Sequence, residues 1–275
     1  MDDKLALFEE KTIRKTWKDG KWYFSIFDVI FVLTDSADAK QYIKKIKSRD
    51  EELKSNWGTI CTLLQMPTVD GKNRKIQMSD TEGILRIIQS IPSSKAEPFK
   101  RWLAKVGSER IEEINNPELA MDRMKRIYEN KGYSKAWIEQ RERGITTRHN
   151  LTDEWKERGV SKTVDYAILT NEIYKSGFGF SAKTYKNIKG LHESQNLRDS
   201  MTNIELALTN LGEAAAVEIH KSNDSQGLQQ LKKDANKAGG ILNKAKGELE
   251  KELNRPVVTT ENYIDLTDNS NLLDN

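Results

Sequence analysis

Thiols and imidazoles are scarce in this chain: Cys61 is its one cysteine, and His149, His192 and His220 are its only histidines in 275 residues. One cysteine excludes an intrachain disulfide and a thiolate zinc cluster, and it fits a reducing cytoplasm. Cys61 lies in the apolar run Ile60–Leu64, which reads as a buried structural thiol rather than a nucleophile. The histidines are far apart, and none has the HxxxH or HExxH spacing of a metal site. Phosphate-cradling glycine loops are missing too, since Gly177-Phe178-Gly179 lacks a third glycine and a preceding strand. No GxSxG elbow supports a serine hydrolase. Carboxylates are plentiful but alternate with Lys and Arg, as on solvated helix faces. Asp165 and Glu172, with Tyr166 and Tyr174, share one segment and read as helix surface. No apolar stretch is long enough to span a bilayer, and the acidic start MDDK is not a signal peptide. These absences lead us to expect a cytoplasmic, non-enzymatic protein with no cofactor, no metal and no membrane partner.

What the chain does have is charge and helix-forming pattern. Charged residues make up 32% against 36% hydrophobic, with a net charge of +3. That balance is weak evidence for nucleic acid by itself, but it is unevenly spread. The last twenty residues carry Glu261, Asp265, Asp268 and Asp274 without a Lys or Arg, leaving the remainder near +7.

The most informative stretch is Ile13–Arg49. Asp19-Gly20 between two alternating runs is a strong hairpin signal, and a two-residue turn there places Trp17 across from Trp22. Ile13, Phe24 and Ile26 would share their face, while Arg14, Thr16, Lys18, Lys21 and Tyr23 would form the basic opposite one. After the apolar run Phe27–Leu33, Thr34-Asp35-Ser36 can cap a helix over Ala37–Arg49. Ala39, Tyr42, Ile43 and Ile46 line one face of it, and Lys40, Lys44 and Lys47 form an adjacent stripe, with Lys45 and Arg49 nearby. Such a stripe suits either phosphate contact or ordinary solvation.

A second hairpin is expected from Trp57–Thr68, a turn at Asp70-Gly71, and Lys72–Met78 with Arg74 and Lys75. Ser79 and Glu82 resemble a capping box opening a buried helix through Ile84, Leu85, Ile87, Ile88 and Ile91. A further helix over Lys95–Asn115 would turn Phe99, Trp102, Leu103 and Val106 to the core. Beyond Pro117 the pattern is helical: breaks are expected at Gly132 and Gly159, with helix over Thr146–Arg158 and Ser161–Lys175 and a loop at Gly177–Phe180. A long helix should cover Leu197–Ile219, and another Gly227–Leu253, interrupted at Gly239-Gly240. Pro256 should end order.

With catalysis disfavoured, binding remains. Basic side chains neutralise phosphates and nearby aromatics can stack on bases. Arg14, Lys18, Lys21, Lys40, Lys44, Lys47, Arg74 and Lys75 are the candidate DNA contacts. The apolar helix faces farther along suit protein contacts or self-association into a homo-oligomer.

These residues also carry a resemblance. GKWYFSIFDV, followed by RKIQMSDTEGILRIIQSIPSSKAEPFKRWLAKVGSERI, resembles the N-terminal Bro domain of viral Bro proteins and phage antirepressors. Trp22, Phe24, Asp28 and Val29 stand at its first motif, and Gly83, Ala96, Phe99, Trp102 and Leu103 at its second. A Gly-Tyr pair usual after the first helix is replaced by Leu33-Thr34-Asp35-Ser36. The second half is similar to bacterial DNA-damage-inducible protein D, through Asp165–Ile168, Lys189–Leu191, Asp199–Leu211 and the closing Leu253-Asn254-Arg255-Pro256. The two resemblances imply an α+β Bro-like domain with small β-hairpins and helices at about 11–116. A mainly α-helical domain at 117–255 and a flexible acidic tail at 256–275 would follow. They imply a DNA-binding regulator of the antirepressor or DNA-damage (SOS) response type, of prophage origin. The alternative is a protein-interaction module that sequesters a repressor or recombinase without contacting DNA.

Overall fold

The computed structural model describes residues 13–34, 36, 38–67 and 72–264. The MDDK lead-in, the expected Asp70-Gly71 turn and the tail beyond 264 lie outside the described residues. The chain divides into two compact units, Met1–Asp122 and Arg123–Asn275. The first is α+β and the second is mainly helical, as the sequence pattern implies.

In the first unit, Asp19 and Gly20 both take left-handed backbone conformations, with φ of 50° and 77°. That is what a two-residue primed turn demands. It joins strand β1 (Lys15–Lys18) to β2 (Lys21–Ser25) with Trp17 opposite Trp22. The second hairpin is β3 (Thr62–Pro67) and β4 (Asn73–Asp80). Pairing of β2 with β4 merges the two hairpins into one antiparallel sheet of order β1-β2-β4-β3.

Among the described residues, the sheet is accompanied by helices α1 (Ile26–Thr34), α2 (Ala39–Arg49), α3 (Glu51–Ser55), α4 (Trp57–Ile60) and α5 (Thr81–Gln89). The segment from Trp57 to Ile60 is thus a helical turn rather than the start of the strand. The caps fall one or two residues beyond the expected ones. Asp38, not Thr34-Asp35-Ser36, accepts the Gln41 N–H to start α2, and Asp80, not Ser79, accepts the Gly83 N–H to start α5. Ser79 donates its hydroxyl to the Ile60 carbonyl instead, at 2.6 Å. A Cβ on Gly83 would sit 2.1 Å from the Ser79 Oγ, which explains a glycine inside α5.

The core of this unit joins Ile26, Val29 and Ile30 of α1 to Ile43 and Ile46 of α2, Leu53 of α3 and Ile84, Ile87 and Ile88 of α5. Helix α6 (Glu97–Asn115) reaches that core only with its first turn. Phe99 is fully buried, whereas Trp102 is 43% and Val106 38% exposed, against the expectation that both face a core.

Among the described residues the chain continues through α7 (Glu118–Asn130), α8 (Lys135–Glu157), α9 (Thr163–Phe178), α10 (Ala182–Ile188), α11 (Asn203–Ser222) and α12 (Gly227–Leu253). The glycines divide into two kinds here. Gly132, Gly159 and Gly179 have φ near +90° and end or separate helices, as their turns require. Gly144, Gly177 and Gly239 lie inside unbroken helices, the last two contrary to the expected loop and interruption. Their reason is proximity: an added Cβ would lie 2.7 Å from the Asn210 Oδ1, 2.9 Å from Leu242 and 1.9 Å from the Ser176 Oγ, respectively. The Gly177 and Gly239 contacts let α9 and α12 pack closely along much of their lengths, while Gly144 of α8 gives room to Asn210 of α11.

The expected helix start at Leu197 is also shifted. Leu197–Ser200 form a 3-10 turn, and α11 begins at Asn203 behind a capping box between Thr202 and Glu205. Pro256 does not end the packing. Val257 is 4% exposed, and the Tyr263 ring stacks on Tyr133 with centroids 5.7 Å apart. The Lys189 ammonium, fully buried, binds the Glu205 carboxylate at 2.9 Å and the Glu261 backbone carbonyl at 2.7 Å, which fastens this segment.

Candidate nucleic-acid interface

Helix α2 gathers the densest positive charge of the first unit. Its eleven residues include Lys40, Lys44, Lys45, Lys47 and Arg49 and no acid. Two aspartates hold its ends. Asp38 caps the N-terminus, where a carboxylate meets the positive end of the helix dipole, and Lys47 and Arg49 fall in the last turn, where cations are favoured. Asp50 follows the last turn, but its carboxylate is engaged elsewhere. It accepts the Ser90 hydroxyl at 2.5 Å and the Leu53 N–H at 2.8 Å, and both its oxygens meet Arg86 within 3.0 Å. Those hydrogen bonds, Ser90 foremost, draw its pKa down to about 2. It therefore spans α2, α3 and α5 as a structural anchor.

Burial of Ile43 and Ile46 orients the helix. Lys40, Lys44 and Lys45 are exposed, and among the described residues they have no carboxylate within ion-pair distance. Lys47 differs: its ammonium lies 4.9 Å over the Trp57 ring, a cation–π contact that leaves it half-buried.

The hairpin cations are arranged otherwise. The Arg14 guanidinium forks onto Asp28, with Nε 2.8 Å from Oδ2 and Nη2 2.7 Å from Oδ1, and the Arg14 backbone N–H donates to the same carboxylate at 3.0 Å. Burial alone would raise the Asp28 pKa, but the hydrogen bonds from Arg14 and Ser25 outweigh it and hold the carboxyl below its usual range. Arg14 thus ties the chain entering β1 to the first turn of α1, where the Ser25 Oγ accepts the Asp28 N–H. Lys21 pairs with Asp80 at 3.0 Å, and Lys18 stands opposite Lys21 with its ammonium 3.9 Å from Asp19.

Tyr23, expected on the basic face, instead packs with Phe27 against Leu64, Met66, Ile76 and Met78. Trp17 and Trp22 meet edge to face at 5.3 Å on the other side, and Lys15 lies 4.9 Å over Trp22. Two residues before Trp17 on β1, that cation shares the tryptophan face, and this spacing is the signal that places it there rather than on the basic face. Arg74 and Lys75 are exposed on β4, but as neighbours in a strand they point to opposite faces. The eight candidates therefore do not form one patch: Lys40 and Lys44 share a stripe, while Arg14 and Lys21 serve the scaffold.

Elsewhere the features are those of structure rather than chemistry. Cys61 is half-buried and its thiol pKa is pushed up to about 12 by burial, unsuited to a nucleophile. Asp165, Tyr166, Glu172 and Tyr174 do not converge. Tyr174 is buried, the Tyr166 hydroxyl donates to the Val160 carbonyl, and Glu172 holds Lys232 and Asn236. A groove of ≈ 470 Å³ between α8 and α11 is lined by Asp153, Glu154, Glu157 and Glu218 against the single cation Lys221, a sign that repels phosphate. Among the described residues no group of three or more His, Cys, Asp or Glu side chains could hold a metal ion, and no helix is long and apolar enough to cross a membrane.

An α+β unit of this kind followed by a helical bundle corresponds to two known domains. Residues 12–110 match the BRO family N-terminal domain, and residues 128–264 match the DinD C-terminal domain. The chain is thus similar to the BRO family N-terminal domain in its first part and to the DinD C-terminal domain in its second. No curated protein matches it.

Proposed function

We propose that this is a non-enzymatic regulator of the phage antirepressor or DNA-damage-response type that binds DNA through helix α2 of its Bro-N domain. The observation that carries this reading is the α2 surface: five cations in eleven residues, with Lys40, Lys44 and Lys45 exposed and without ion pairs among the described residues. Free ammonium groups on a helix anchored by Ile43 and Ile46 can neutralise backbone phosphates and release counterions. Lys18, Arg74 and Lys75 would extend the contact from the sheet, and Lys47 would contribute through its position over Trp57. Arg14 and Lys21 are assigned to the scaffold, since their charges are already engaged by Asp28 and Asp80.

Fluorescence anisotropy with duplex DNA across a salt series tests this. Lys40→Ala/Lys44→Ala should weaken binding and reduce the slope of log K against log salt by about 2, one per lost phosphate contact. An unchanged slope, or no affinity at low salt, sinks the proposal.

The DinD C-terminal domain supports a second reading, in which the chain captures a repressor or recombinase without touching DNA. A full-length Lys40→Ala/Lys44→Ala protein that still regulates with its DNA affinity gone would favour that reading.

A further inference from the structure

Exposed apolar side chains cluster on α6 out of proportion to the rest of the first unit. Beyond its first turn, Trp102 is 43% exposed, Val106 38%, Ile111 63% and Ile114 68%. At about 100° per residue these four fall within one half of the helix circumference. Leu119 and Met121 at the start of α7 are 37% and 54% exposed and extend the apolar surface. An apolar helix face of this extent left in water marks an interaction surface.

The charge along the same helix identifies what fits it. Glu97, Lys100, Arg101 and Lys105 give the first half of α6 a net charge of +2; in the second half the buried Glu113 is paired with Arg110 at 3.2 Å, which leaves Glu109 and Glu112 for a net −2. The helix is therefore complementary to itself when reversed. An antiparallel copy sets its acidic half against the basic half of the first, twice over, about a two-fold axis near Gly107. A parallel copy would set like against like. A Cβ added to Gly107 would meet no atom within 4 Å, so the point where the axis passes is open to close helix approach. Two-fold interfaces are isologous, so one self-complementary surface suffices for both partners.

We propose that α6 is a homodimerisation helix, pairing antiparallel with α6 of a second copy of this chain through Trp102, Val106, Ile111 and Ile114, with Arg101 of one copy facing Glu112 of the other. The local ion pair of Arg101 with Glu97, 3.5 Å apart and solvent-exposed, is too weak to compete. The proposal is independent of DNA.

Sedimentation equilibrium of the full chain from about 1 to 100 µM tests it, a range that covers interfaces of micromolar affinity. Ile111→Lys/Ile114→Lys should yield a monomer with unchanged circular dichroism, because both side chains are exposed in the single chain. Arg101→Glu alone should weaken the dimer by about tenfold or more through like-charge contact. Adding Glu112→Arg to Arg101→Glu should restore it, since in an antiparallel homodimer the double reversal re-creates both pairs. A wild-type monomer across the range overturns the proposal, as does a dimer indifferent to these changes or a double reversal that fails to rescue.

Discussion

Gly239 and Gly240 are adjacent in one helix and should respond to alanine with opposite signs. Alanine is favoured over glycine in a helix interior by about 1 kcal/mol, so substitution at either position begins with that gain. At Gly240 nothing lies within 4 Å of the new Cβ, and the gain stands. At Gly239 the methyl would meet the Ser176 Oγ at 1.9 Å and the Ile173 carbonyl oxygen at 2.7 Å. The serine can rotate only by giving up its 2.6 Å hydrogen bond to the Glu172 carbonyl, and the Ile173 oxygen is backbone. Relief requires α9 and α12 to separate. Overpacking of this kind costs about 1–3 kcal/mol, and a backbone obstacle argues for the upper end. After the propensity gain, Gly239→Ala should be destabilised by about 2 kcal/mol and Gly240→Ala stabilised by about 0.5–1. For a domain of this size the first corresponds to a melting temperature about 4–8 °C lower and the second to a rise of about 1–4 °C. Scanning calorimetry is the suitable assay because it separates the transitions of two units. A Gly239→Ala protein as stable as wild type, or equal shifts for the two variants, would refute the close-approach argument.

The buried polar groups of the second unit supply the other expectations. His220 accepts the Trp155 indole N–H on Nε2 at 3.0 Å and turns Nδ1 toward Asp234 at 3.4 Å, so its neutral form fits and a second ring proton would face the indole N–H. Burial lowers its pKa, only partly offset by Asp234. The unfolded chain thus binds the proton more readily, and stability is full above the ordinary histidine value of about 6.5 and declines as pH falls below it. His220→Gln should flatten the melting temperature between about pH 6.5 and 5; an identical pH profile in the variant would exclude His220 as the source. Lys189→Met strands the Glu205 carboxylate, which then keeps only the Tyr185 hydroxyl and the Thr202 N–H, and should cost about 3–5 kcal/mol in urea denaturation. Lys189→Met/Glu205→Gln should recover part of that loss by removing the uncompensated charge, and additive effects of the two changes would count against a coupled pair.

Local chemistry was legible where it depends on nearby residues. Asp19-Gly20 could be read as a two-residue turn because both positions need left-handed backbone, and the opposition of Trp17 and Trp22 followed from it. The apolar stripe of α2 followed from helical period alone. Readings failed where a distant segment decides. Gly239 looks like a helix break in isolation, but Ser176, far along the chain, leaves no room for a side chain there. Trp102 and Val106 have the spacing of core residues, but α6 continues past the core it starts on. In the candidate interface, the basic stripe of α2 was visible, but the engagement of Arg14 by Asp28 and of Lys21 by Asp80 was not. Each pair joins residues 14 or more apart, and no periodicity carries that information.

The same geometry separates what defines the domain from what it binds. Of the motif residues, Asp28 holds Arg14, Val29 is in the core, Gly83 makes room for Ser79, and Ala96 and Phe99 are fully buried. A match built on such positions reports a scaffold: these side chains would be required whatever the domain touches. Lys40 and Lys44 are under no such constraint, because their removal exposes no cavity and orphans no partner among the described residues. It follows that loss of DNA affinity in an Asp28 or Phe99 variant would say little, since the fold fails with it. Loss in a Lys40/Lys44 variant whose melting temperature is unchanged would speak to the interface alone. Arg14→Ala provides the converse. It leaves Asp28 half-buried without its guanidinium, so it should lower the melting temperature while leaving the salt slope of any DNA binding unaltered.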